Sequence, residues 1–213
     1  MGTFTDQLLV LVMLLNFSAL GTGRISFAIR AVALQGVALG VLPLLVHPFS
    51  EHLLGICFGI LVTKGILIPL LLDSAVRRVQ IKHEMEPFLG YVPTLLLGAV
   101  CTAVAFVFAA RLPLAPEHQG GLFVPAAIAT LLSGFLLLTT RRKAISQVIG
   151  YLVLENGIFI FGQLLTAAMP LMVELGVLLD LIVGIFVMGI VINQISREFS
   201  TIDTSRLTAL REE

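Results

Sequence analysis

The chain has 213 residues, 58% of them hydrophobic and only 12% charged, with a mean hydropathy of +1.05. Such a composition excludes a water-soluble domain of this size and defines a polytopic integral membrane protein of the all-α class. Zero net charge leaves no basic face to neutralise phosphates, which excludes nucleic acid as a partner.

A membrane-spanning helix needs about 20 mostly apolar residues. Seven stretches qualify in chain order: Phe4 to Gly21, Ile25 to Val46, Leu53 to Leu72, Phe88 to Arg111, Leu122 to Thr140, Ala144 to Met169, and Leu171 to Ile195. The breaks fall at Gly21 and Gly23, at Pro48, in the charged loop Asp73 to Pro87, in the turn-rich stretch Pro113 to Gly121, at Arg141–Arg142–Lys143, and at Pro170. Met1 to Gln7 carries Asp6 and no Lys or Arg, and no small-residue cleavage site clearly follows, so the first stretch is expected to be a retained helix and not a signal peptide. Four N-terminal spans (1–112) are therefore expected, then a loop (113–121), three further spans (122–195) and a polar tail (196–213).

Eleven of the thirteen basic residues fall on one side of this layout: Arg24, Arg30, Arg77, Arg78, Lys82, Arg141, Arg142, Lys143, Arg197, Arg206 and Arg211. Short cytoplasmic loops carry the positive excess. The expected orientation in the cell membrane has the N-terminus outside and the C-terminal tail in the cytoplasm.

Two carboxylic acids interrupt the last two spans at mid-length, Glu155 and Asp180. An acid at mid-membrane costs roughly 2.5–3.5 kcal/mol on insertion scales, so such residues face a bundle interior, a polar cavity or a proton path. Glu155 shares a helical face with Tyr151 and Gly162, with Gln147 and Gln163 toward the two ends; Gly184 lies one turn after Asp180. Glu174, nearer the end of its span, has access to the interface by snorkelling. Lys64 is the third intramembrane charge. Pro69 removes a backbone donor beside it, so a kink with a lysine at its centre is expected, and the ammonium would either regulate an acid or form a structural ion pair. Cys57 and Cys101 sit alone in separate apolar runs as small hydrophobes, and no pair of histidines has ligand spacing. Gly36/Gly40 and Gly55/Gly59 form two GxxxG pairs of the kind that bring helices close together.

The basic turn Arg141–Arg142–Lys143, the segment Leu154–Glu155–Asn156, Asp180 with Gly184, and Ile202–Asp203–Thr204 after the last span together resemble the K-type (NuoK-like) membrane subunit of respiratory complex I and the C-type subunit of multi-subunit antiporters. A seven-span chain ending in such a three-helix module is similar to the component E family of hydrogenase-4, found in formate-hydrogenlyase-type energy-converting hydrogenases. The resemblance implies a non-catalytic subunit of an oxidoreductase complex, without cofactors of its own. Its implied partners are antiporter-like membrane subunits and peripheral nickel–iron hydrogenase and iron–sulfur subunits. Glu155, Asp180, Lys64 and Glu174 would lie on its proton or sodium pathway. Two other readings remain open on the residues alone, a stand-alone secondary transporter and a purely structural membrane anchor; no internal repeat supports the first.

Overall fold

A computed structural model describes residues 3–78, 88–113 and 121–165. These residues form α1 (Thr3–Gly21), α2 (Ile25–Val46), α3 (Glu51–Ile60), a π-helical segment (Leu61–Leu67), α4 (Ile68–Arg78), α5 (Tyr91–Ala109), α6 (Phe123–Thr140) and α7 (Ala144–Leu165). Because α3, the π segment and α4 run on as one span, six helices among the described residues are long and apolar enough to cross a membrane. The protein is an all-helical, multi-pass membrane protein. The expected seventh span and the polar tail lie outside the described residues.

Local chemistry sets the helix ends. Pro48 follows α2 and cannot continue its hydrogen-bond ladder. At α3 the Ser50 hydroxyl accepts the Leu53 N–H at 3.1 Å, with Glu51 in the first turn to complement the helix dipole. Gly90 adopts φ 77° immediately before α5, a left-handed turn that suits glycine. The third span is longer than the apolar run expected for it: the helix continues through Asp73 to Arg78, since polar residues emerging from an apolar layer need not end a helix.

The π segment replaces a simple proline kink. The Ile68 N–H reaches back five residues to the Thr63 carbonyl, the widened pattern of a π turn, and Pro69 follows directly. In a regular α-helix the Pro69 ring would press on the Gly65 carbonyl and leave it without a donor.

Consecutive spans alternate in direction, and α6 and α7 form the tightest hairpin. Gly134 lies against the Leu154 backbone, while a Cβ at Gly150 or Gly157 would stand 2.7 or 2.6 Å from the backbone nitrogens of Leu138 and Leu131. Without a hydrophobic drive between helices in lipid, such close approach maximises dispersion contact. The two GxxxG pairs divide: Gly36 and Gly40 pack on Lys64 and Leu61 of the π segment, whereas Gly55 and Gly59 face open space. Helix α2 packs on α1, α3, the π segment, α4 and α7, and so forms the hub of the bundle. The third span and α5 are peripheral, with Phe58, Leu70, Val92 and Leu96 exposed as lipid-facing side chains are.

The basic turn after α6 is only partly a solvated feature. Arg142 is exposed and stacks over Phe88, with its guanidinium 4.4 Å from the ring centre. Arg141 is fully buried: one guanidinium nitrogen donates to the Leu20 carbonyl at 2.6 Å, at the C-terminal end of α1, and the group lies 5.5 Å from the centre of the Tyr91 ring. A cation at carbonyls left over by a helix end is electrostatically well placed. Burial pushes its pKa down from the usual arginine value, an effect that Tyr91 opposes.

Candidate functional site

The described core consists of two apolar clusters. One contains Ala19, Leu20, Ile25, Val32, Leu137 and Val153; the other contains Leu9, Met13, Ala38, Ile60, Ala129 and Phe159. Between them runs a polar layer. Asn16 falls between Met13 and Ala19 on α1, Gln35 between Val32 and Ala38 on α2, and Thr130 between Ala129 and Leu137 on α6. Glu155 and Asn156 fall between Val153 and Phe159 on α7. Lys64, on the π segment, follows Ile60 in the same alternation.

Within this layer the ammonium of Lys64 contacts the Glu155 carboxylate at 2.7 Å, with the two side chains 11% and 3% exposed. Phe159, one turn after Glu155, places its ring centre 5.3 Å from the same ammonium. The cation thus has a carboxylate and an aromatic ring as neighbours. Apolar surroundings strengthen the attraction between the two charges, while the loss of water opposes it. The pair is consequently stable only as a pair: removing either member strands the other charge.

A line of neutral hydrogen bonds continues from the residue beside Glu155. Asn156 donates to the Gln35 carboxamide oxygen at 3.2 Å; Gln35 donates to the Asn16 side-chain oxygen at 2.7 Å and to the Val12 carbonyl at 3.2 Å; Asn16 donates to the Thr130 hydroxyl at 2.9 Å. All four residues are buried. Gln35 and Asn16 thereby each use both donor and acceptor in a region without bulk water, and the line ties α1, α2, α6 and α7 at one depth.

Of the four residues expected on an ion pathway, Lys64 and Glu155 are brought together; Glu174 and Asp180 lie outside the described residues. Tyr151, expected on the same stripe as Glu155, is half-buried on α7. Gln147 donates to the Arg141 carbonyl at 3.1 Å and so closes the α6–α7 turn. Sequence reasoning missed Asn16, Gln35 and Thr130. The available signal was a carboxamide near the middle of an apolar run, which demands a buried partner for the same reason that a charge does, with a smaller penalty. Among the described residues, no three His, Cys, Asp or Glu side chains gather to hold a metal. Both cysteines are free thiols, Cys57 buried and Cys101 partly so.

Comparison with known proteins identifies the family. The chain is 31% identical over 164 residues to hydrogenase-4 component E of Escherichia coli, covering 76% of this chain and 75% of that one. The chain belongs to the hydrogenase-4 component E family. The corresponding protein of Shigella flexneri matches to the same extent. A further relative, uncharacterized protein Rv0085 of Mycobacterium tuberculosis, is 34% identical over 189 residues, covering 86% of this chain and 85% of its own. No protein-family model and no solved structure matches the chain.

Proposed function

We propose that this component E family member is a membrane subunit of a hydrogenase-type complex, and that the Lys64–Glu155 pair takes part in moving protons or sodium ions across the membrane. The observation that carries the proposal is the ion pair itself. An acid and a base in contact at half-depth, with apolar clusters toward either end, form a site whose charge state responds to the field around it. Protonation of Glu155 cancels the carboxylate that holds the ammonium and releases Lys64 toward a neighbouring acid. A charge change at a redox centre in a partner subunit biases that exchange electrostatically.

Family membership supports assembly with antiporter-like membrane subunits and with peripheral nickel–iron and iron–sulfur subunits, which would hold the redox centres. In this reading the last three spans form the NuoK-like module, Asp180 and Glu174 extend the route beyond Glu155, and the basic turns face the cytoplasm. The deciding experiment measures ion uptake by membrane vesicles containing the assembled complex. Glu155→Gln and Lys64→Met each abolish hydrogenase-coupled uptake while the complex still assembles. Undiminished uptake in both variants would overturn the proposal and point to an anchor role.

A further inference from the structure

We infer that the dipeptide Gln35–Gly36 of α2 is the positioning element that sets the Lys64–Glu155 contact, acting on both partners at once from adjacent residues. The inference rests on the reading of that pair as the working site and assigns the residues that hold its geometry.

Gln35 acts on the acid. It is fully buried, and its oxygen accepts from Asn156, the residue immediately after Glu155, at 3.2 Å. Its nitrogen is fixed from behind by the Asn16 side chain at 2.7 Å and the Val12 carbonyl at 3.2 Å. With donor and acceptor both engaged, the carboxamide has one satisfied orientation, and α7 is held in one rotation against α2.

Gly36 acts on the base. A Cβ built on it would lie 2.7 Å from both the carbonyl carbon and the carbonyl oxygen of Lys64, and 2.9 Å from the Lys64 Cβ. These are backbone atoms and the root of the side chain, so no rotamer change relieves the clash. Only glycine admits the π segment at this distance. At Lys64 the backbone follows the widened i→i+5 ladder of a π turn, a rarer arrangement than the α-helices on either side, and the contact with Gly36 supports it from α2. One turn further along α2, Gly40 is less tightly opposed: its added Cβ would meet Leu61 at 3.2 Å. Of the two α2 glycines that meet the π segment, the more tightly opposed thus lies at the lysine, directly beside the residue that holds the neighbour of the acid. A group held through such a supporting contact is sensitive to displacements well under the length of a bond.

The test uses the assembled complex and reads the Glu155 carboxylate by infrared difference spectroscopy, the signal being assigned by its loss in Glu155→Gln. Lys64→Met is expected to convert that signal at neutral pH from carboxylate to protonated carboxyl. Gly36→Ala and Gln35→Met are expected to produce the same conversion with Lys64 still present, and ion uptake is expected to fall to the level of Glu155→Gln. Gly98→Ala is the comparison variant. It perturbs the packing of α5 on Leu20 of α1, where an added Cβ would lie 2.6 Å from a side-chain methyl, and is expected to lower stability with a native Glu155 signal. A native signal in both Gly36→Ala and Gln35→Met, or an altered one in Gly98→Ala, would overturn the inference. The spectrum does not depend on pumping: undiminished uptake in both Glu155→Gln and Lys64→Met would refute the transport role and leave the positioning result readable.

Discussion

The Lys64 ammonium and the Glu155 carboxylate meet at 2.7 Å across the interface between the π segment and α7, and little of either side chain reaches the surface. A buried pair broken on one side strands a charge at a cost of about 3–5 kcal/mol, whereas replacing both members with apolar groups is close to neutral. Thermal unfolding of the detergent-solubilised protein should therefore show a larger loss for Lys64→Met or Glu155→Gln alone than for a Lys64→Met/Glu155→Leu double variant. Equal losses in all three would mean that the pair is not formed.

The carboxamide line makes a separate prediction about stability. Asn16→Leu removes the acceptor of Gln35 and the donor to Thr130 together, leaving buried groups unsatisfied at about 1–3 kcal/mol each. Thr130→Val removes one acceptor and should cost less. The order of melting temperatures, native above Thr130→Val above Asn16→Leu, checks this.

Glycines in this chain divide into two sorts, and substitution should separate them. Gly157→Ala drives a Cβ into the Leu131 backbone and is expected to destabilise the α6–α7 hairpin by about 1–3 kcal/mol. Gly55→Ala and Gly59→Ala meet nothing and should be neutral or slightly stabilising, since alanine is the better helix former. Resistance of each variant to thermal aggregation reports the difference.

Arg141 offers a test of charge against shape. Arg141→Lys keeps the positive charge and loses the planar group that stacks on Tyr91 while donating to the Leu20 carbonyl. A hydrogen bond from a charged donor is worth about 1.5–3 kcal/mol, and Arg141→Met forfeits it entirely. Both variants should melt below the native protein, with Arg141→Met the lower.

Spans and charges were legible in the sequence for a simple reason: each is a property of one helix. The breaks at Gly21, Pro48 and Arg141 follow from residues at those positions, and the six described spans fall on the expected apolar runs, the third overrunning its run to Arg78. Lys64 and Glu155 stood out separately because a charge in an apolar run is conspicuous. Their contact was not legible, because it depends on which faces of the π segment and α7 meet. The π turn was foreshadowed only as a kink: Pro69 removes a donor, but nothing local in the sequence distinguishes a ladder that bends from one that widens. Asn16, Gln35 and Thr130 escaped notice because neutral side chains do not disturb an apolar average. Arg141 looked like part of a wet turn since nothing nearby in sequence reveals that the end of α1 and the ring of Tyr91 enclose it.

The stacking of oily, hydrophilic and oily strata through the bundle also has a directional consequence. Hydrocarbon residues plug the described helices above and below the ionised pair, so a charge carrier would meet its steepest barrier along the bilayer normal. Lys64 is the more open of the two partners and belongs to the peripheral third span. Among the described helices, the flank on which Lys64 opens is thus the least sealed side of the stratum.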